Sequence, residues 1–429
     1  MTITMQPGPV SGTVAAIPSK SVAHRLLLCA ALADKPTTVV CGGTSQDIDA
    51  TIRCLVGLGA QVEQRDGCYV VTPIAPGKGR GLCRLPCGES GSTLRFLLPV
   101  AGALGADAVF QMAGRLGQRP MEALENQLQA QGCRIIRDAT KDRLEITGHL
   151  RGGVFRLPGD VSSQFISGLL FALPLLGEES RLIVEGELES VGYIDLTLQA
   201  LSAFGVRPVR TADGWTIPPV GYVSPGTVSV EGDWSNAAPW LCMGTLGGEG
   251  ITVAGMDADS RQGDRAIGQI LISLGAEVTQ AGPQITAHPA RLLPGEIDAR
   301  NVPDLVPVLA ALAAAVPGET KITGAARLRL KESDRLETTA QTLNALGGQA
   351  EQTQDGLIIQ GKTWLTGGTV DAAGDHRIAM AAAVASVACT GPVTVTGAQA
   401  VKKSYPTFWA ELAALGKSVD VVRKEGETP

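Results

Sequence analysis

Six glycines limit the fold of this chain more than any other feature. Gly59, Gly132, Gly205, Gly275, Gly347 and Gly416 each close a helix-like stretch and open a strand-like one. The segments are LVGLGAQVEQ, LQAQGCRIIR, LSAFGVRPVR, LISLGAEVTQ, LNALGGQAEQ and LAALGKSVDVV. The intervals between the glycines are 73, 73, 70, 72 and 69 residues. Glycine suits the position just past a helix because it adopts the left-handed backbone without a Cβ clash. A fixed period of this size marks a chain built from one repeated unit.

A second series interleaves with the first and begins near residues 19, 89, 162, 233, 302 and 375. It reads SKSVAHRLLLCAALAD, ESGSTLRFLLPVAGALG, SSQFISGLLFALPLLG, DWSNAAPWLCMGTLGG, VPDLVPVLAALAAAVPG and DHRIAMAAAVASVACTG. Each opens on helix-capping residue types and then turns apolar on nearly every face, the pattern of a buried helix. The glycine-closed series is amphipathic, as in DIDATIRCLVGLG, and belongs outside. Strand candidates include RIIRD, VSVEG, ITVAG, LIIQG and VTVTG. A chain of 429 residues exceeds one ordinary core. The spacing predicts an α/β fold of two similar domains with three repeats each, divided near IPPVGYVSPG (217–226).

Composition excludes several classes. A net charge of -6 argues against a general nucleic-acid binder. Nine cysteines, an odd number without a CxxC pair, predict no disulfide framework and a reducing, cytoplasmic setting. Four scattered histidines predict no metal site. The opening MTITMQPGPVSG has neither the charged nor the apolar region of a signal peptide, and no apolar run is long enough to span a bilayer.

Polar residues crowd the first turns of the buried series: Lys20, Ser21 and Arg25; Glu89, Ser90, Ser92 and Arg95; Ser162, Ser163 and Gln164; Asp233; Asp304; Asp375, His376 and Arg377. Capping accounts equally well for Ser90, Ser92, Asp233 and Asp375. It does not account for Lys20, Arg25, Arg95 and Arg377, because a cation at a helix N-terminus opposes the macrodipole. An anion held there reverses that sign, and free helix N–H groups favour one. Gln118–Pro120, Lys331–Arg335 and Lys402–Ser404 repeat the theme at the outer helices, with Lys331–Arg335 read as a helix start. Facing domains would then line a cleft with Lys20, Arg25, Arg119, Arg335, Arg377 and Lys403, more charge than one phosphate needs. Asp304 and Glu332 among these cations are candidate proton carriers. There is no GxxxxGK[ST], no GxGxxG in a dinucleotide-binding context and no GxSxG.

SKSVAHR, ESGSTLRF, QRPM, GDVSSQF, SVGYID, VPDLVP, RLKESDRL, GDHRIAMA and KKSYPTF, in this order, give the whole chain a close resemblance to the 5-enolpyruvylshikimate-3-phosphate synthase family. The resemblance implies an inside-out α/β barrel of βαβαββ-type repeats, with one domain at 15–228 and the other formed by 1–14 and 229–429. It implies a monomer acting on shikimate 3-phosphate and phosphoenolpyruvate without cofactor or metal, and with no nucleic-acid or membrane partner. The enolpyruvyl group would pass to the 5-hydroxyl with release of phosphate. By motif match, Lys20, Gly91, Ser92, Arg119, Gln164, Arg335, Arg377 and Lys403 would hold phosphoenolpyruvate. Lys20, Ser21, Arg25, Ser162, Ser163, Gln164, Tyr193, Asp304 and Lys331 would hold shikimate 3-phosphate. Glu332 would carry the proton to C3, Asp304 would serve the 5-hydroxyl, and Lys20 would share proton transfer. Ser190 and Tyr193 can also be read as cap and packing, Asp47 and Asp49 as helix charges, and Arg95 as paired with an acid. Glu89, Arg327 and His24 each stand where many members have Asn. A related transferase acting on UDP-N-acetylglucosamine carries a reactive cysteine near the Arg119 position, and LGQRPM has none. The alternative of a non-catalytic anion binder has no use for Asp304 and Glu332 as proton carriers.

Overall fold

The computed structural model describes residues 1–75, 81–138, 140 and 142–422; the tail of the second expected domain, 423–429, lies outside the described residues. The chain forms two compact units, Pro18–Val230 and Met1–Ile17 with Glu231–Pro429. Both series of helices form. The inner ones are α1 (Lys20–Leu32), α3 (Gly91–Leu104), α5 (Ser163–Ala172), α7 (Trp234–Leu246), α9 (Val306–Ala314) and α11 (His376–Ala385). The outer ones are α2 (Gln46–Gly57), α4 (Glu122–Ala130), α6 (Val191–Ala203), α8 (Ile267–Ser273), α10 (Arg335–Ala345) and α12 (Phe408–Ala414). The repeat glycines all take positive φ, from 79° at Gly205 to 107° at Gly59. Inner helices supply most of each core: α9 is buried at every position, and α3 at all but Ser92 and Leu104.

The described strands make six four-stranded sheets of one design. Two strands pair in parallel at one edge, and two more follow antiparallel. In the second sheet Cys83–Gly88 runs parallel to Ala108–Met112, which pairs antiparallel with Arg143–Gly148, and that with Cys133–Asp138. Parallel neighbours need a crossover, and the inner helix α3 supplies it between the first two strands. The pattern is α/β with three such repeats per unit.

The first sheet of each unit is completed from a distance. Gly12–Ala15, just before α1, pairs with Ile251–Ala254 after α7. Thr227–Ser229, just before α7, pairs with Thr37–Val40 after α1. Thr2–Met5 lies between Val393–Thr396 and Val419–Val422 in the last sheet. These two exchanged edge strands place the chain crossings at 17/18 and 230/231.

Candidate active site

In the Pro18–Val230 unit the polar groups sit at the heads of inner helices. Ser19 caps α1 by accepting from the Val22 N–H, which sets Lys20 and Ser21 in the first turn. Lys20 Nζ donates to Asp47 Oδ2 at 2.9 Å. Asp47, an expected helix charge on α2, is thus the counter-ion of Lys20. Arg25 is buried and donates to Thr197 Oγ1 (2.9 Å), Ser21 O (2.7 Å) and Tyr193 O (2.8 Å). Its guanidinium also lies 5.0 Å from the Phe96 ring centre, and burial lowers its pKa to about 10. Arg25 therefore fixes the head of α1 to α6, and Thr197 passes the bond on to Ser167 of α5 at 2.8 Å. Ser190 makes no side-chain capping bond; it holds the left-handed conformation, φ 55°, at the entry to α6. Such a conformation in a non-glycine residue persists only where the surroundings enforce it.

A second group joins α3 and α5. The Gln164 amide donates to Ser92 Oγ at 2.9 Å and accepts from Arg95 Nη1 at 2.6 Å. Arg95 is held by this amide and lies 5.5 Å over Phe165. A Cβ on Gly91 would come within 2.8 Å of Arg119 Nη1 and 3.1 Å of Arg95 Nη1. Glycine is what lets two guanidiniums approach the head of α3. Ser162 caps α5 by accepting from the Gln164 N–H at 3.3 Å, and Ser163 is buried beside it. Exposed Glu89 packs against Gly114, where a Cβ would sit 2.7 Å from its carboxyl.

In the other unit one arginine organises the site. Arg335, 1% exposed, donates from Nε to Asp375 Oδ2 (2.8 Å), from Nη1 to Asp304 Oδ1 (2.8 Å) and from Nη2 to Glu332 Oε2 (2.9 Å). Around this core Lys331 lies 3.6 Å and Arg377 3.8 Å from Asp304, and Lys403 lies 3.9 Å from Glu332. Four cations thus face three carboxylates. Burial alone would raise the Asp304 carboxyl, but Lys331, Arg335 and Arg377 outweigh it and hold the group well below the usual carboxylate range. Arg335 is held well above its ordinary value; burial opposes this, and Asp375, Glu332 and Asp304 prevail.

Asp375 caps α11 by accepting from the Arg377 N–H at 2.9 Å, and also accepts from Ser333 Oγ at 3.1 Å. Capping is only part of its role, because its remaining bonds steer Arg335. Arg377 Nη1 donates to the Ser235 carbonyl at 2.8 Å, and Ser235 Oγ donates to buried Asp264. Burial, with the Asp304 charge, pushes the Asp264 carboxyl up to about 7. Nothing in the sequence singles out Asp264 or Ser235, and Ser333, though it stands within RLKESDRL, carries no site role there. The stretch Lys331–Arg335 departs from its reading as a helix start. Helix α10 begins only at Arg335, because Asp334 caps it by accepting from the Glu337 N–H at 3.2 Å. Lys331 and Glu332 lie ahead of it, next to Asp304. Arg327 turns away, donating to the Arg300 carbonyl.

Among the described residues no group of three or more His, Cys, Asp or Glu is placed to hold a metal ion, and no helix is long and apolar enough to cross a membrane. Residues 4–412 match the model of the EPSP synthase (3-phosphoshikimate 1-carboxyvinyltransferase) family. A 3-phosphoshikimate 1-carboxyvinyltransferase of Clostridium kluyveri is 41% identical over 428 residues, covering 97% of this chain and 98% of that protein. One from Clostridium acetobutylicum is 38% identical over 422 residues, covering 97% and 98%. A solved EPSP synthase of Acinetobacter baumannii superposes with a TM-score of 0.80 at 27% identity, covering 98% of this chain and all of that one. The enolpyruvyl transferase NikO of Streptomyces tendae gives 0.79 at 20% identity over 98% of each chain, a likeness of fold.

Proposed function

The chain belongs to the EPSP synthase family, enzymes that transfer the enolpyruvyl group of phosphoenolpyruvate to shikimate 3-phosphate, and from this premise we propose how its residues divide the work. The carrying observation is the Arg335 guanidinium bonded at once to Asp304, Glu332 and Asp375. Such an arrangement fixes the two proton carriers, Asp304 and Glu332, in defined positions among cations, which a mere anion receptor does not need. Lys20, Gly91, Ser92, Arg119, Gln164, Arg335, Arg377 and Lys403 contact phosphoenolpyruvate. Ser21, Arg25, Ser162, Ser163, Tyr193, Asp304 and Lys331 serve shikimate 3-phosphate, with Lys20 and Gln164 shared. Because Arg25 is bonded to Ser21, Tyr193 and Thr197, its part is to hold the acceptor's binding surface in shape as much as to touch it.

The 5-hydroxyl oxygen bonds to C2 of phosphoenolpyruvate while its proton passes to Asp304, and C3 takes a proton from Glu332. The tetrahedral intermediate then loses phosphate: the bond from C2 to the phosphate oxygen breaks, C3 returns its proton to Glu332, and the proton on Asp304 passes to the departing phosphate. Asp304 suits the first step because Lys331, Arg335 and Arg377 keep it ionised. An anionic donor beside Arg335 and Lys403 weakens their hold on Glu332, which frees that carboxylate to carry a proton. The test is Glu332→Gln. Substrate binding should remain nearly intact while turnover falls at least about tenfold; phosphate release at the parent rate removes Glu332 from the mechanism.

A further inference from the structure

Beneath the heads of α1, α2 and α3 runs a buried row of side chains to which the proposed binding roles give no task. His24 Nδ1 lies 2.6 Å from Thr51 Oγ1, that hydroxyl lies 2.6 Å from Thr93 Oγ1, and Thr93 Oγ1 donates to Ser90 Oγ at 2.7 Å. All four are at most 2% exposed. Their hydrogens can be ordered. Thr93 uses its one hydrogen on Ser90, so Thr51 donates to Thr93, and the His24 Nδ1–H donates to Thr51. Nε2 is then a bare acceptor, buried and without a hydrogen-bond partner. Burial lowers the ring's pKa to about 3, so His24 is neutral and held in one tautomer.

Each member stands within a turn of a residue already assigned. His24 follows Lys20 by one helical turn on α1, and Thr51 follows Asp47, the Lys20 counter-ion, by one turn on α2. Ser90 caps α3 immediately ahead of Gly91, and Thr93 immediately follows Ser92. We infer that His24 is a positioning residue for phosphoenolpyruvate: through Thr51 and Thr93 it sets Gly91 and Ser92 against Lys20. The inference rests on the placement of phosphoenolpyruvate proposed above. The acceptor's residues on α5 and α6 are held by other bonds, those of Arg25, Thr197 and Ser167. Loss of the His24 row should therefore register on one substrate.

The experiment is steady-state kinetics of the full-length enzyme with each substrate varied in turn. His24→Leu removes the ring donor, and Thr51→Val removes the middle hydroxyl without losing volume. Both should raise the KM for phosphoenolpyruvate about five- to tenfold while leaving the KM for shikimate 3-phosphate within about twofold. His24→Asn, whose amide can donate from the Nδ1 position, should bring the phosphoenolpyruvate KM back to within about twofold of the parent. Three results overturn the inference: Leu and Val variants with the parent's phosphoenolpyruvate KM, both KM values rising together, or an Asn variant no better than Leu. Lys20→Met, run alongside, separates the two levels. An unmoved phosphoenolpyruvate dependence there sinks the placement itself. A raised one with an unmoved His24→Leu sinks only the positioning role.

Discussion

His24 and Asp264 make opposite demands on pH. The His24 ring drops from its ordinary 6.5 to about 3 because burial disfavours the cation. Between those values the unfolded chain binds a proton that the folded chain refuses. The stability it contributes is therefore present above pH 6.5 and lost as pH falls toward 3, by about 1.4 kcal/mol per pH unit. The Asp264 carboxyl rises from 3.8 to about 7, so the folded chain keeps a proton that the unfolded one has released, and stability falls as pH rises through that window. His24→Asn removes only the first effect. Measured by urea unfolding, the variant should gain on the parent steadily as pH drops from about 6.5 to about 4; a constant difference would show that His24 does not titrate as argued. At this scale the sequence was partly legible. Lys20 and Arg25 stand out because a cation at a helix head is out of place. Asp375 does not, since capping is reason enough for it. The His24 row was hidden because one imidazole and three hydroxyls, contributed by three separate helices, meet only once the chain is packed.

Two inner helices carry a proline beyond the first turn, and each uses it. Pro239 has no N–H, so the Ser235 carbonyl four residues earlier lacks its helix partner and accepts from Arg377 instead. Pro99 likewise leaves the Arg95 carbonyl of α3 without a helix donor. Gly168 of α5 closes on it so tightly that a Cβ would lie 2.2 Å away. Pro239→Ala supplies the missing donor and draws the Ser235 carbonyl back into the helix. The melting temperature should hold or rise, because an interior proline costs a helix about 3 kcal/mol. The KM for phosphoenolpyruvate should rise about fivefold as Arg377 loses its acceptor. An unchanged KM would mean that Arg377 is positioned without it. The helices were readable because glycine period and apolar runs are local signals. The strands RIIRD, ITVAG, LIIQG and VTVTG were readable for the same reason. Their partners were not, since nothing near Thr2–Met5 points to Val393–Thr396.

At the scale of the whole molecule the two units differ in how their sheets are supplied. Pro18–Val230 contains every strand of its three sheets. The segment from Glu231 onward lacks the edge strand Gly12–Ala15 and the inner strand Thr2–Met5. Expressed alone, Pro18–Val230 should melt cooperatively. Residues 231–429 should not, until a peptide of residues 1–17 is added, because two of their sheets have open edges. Circular dichroism melts decide this; a sharp transition for 231–429 by itself would mean the missing strands are dispensable.

The central place of Thr2–Met5 also bears on synthesis. These residues are made long before their neighbours, which exist only once Val393–Thr396 and Val419–Val422 have been synthesised. In the meantime Pro18–Val230 can finish, closed by Thr227–Ser229, while the leading segment waits with unpaired backbone. Translation speed and chaperone cover over that interval, more than the final equilibrium, then govern how much of this enzyme a cell recovers intact.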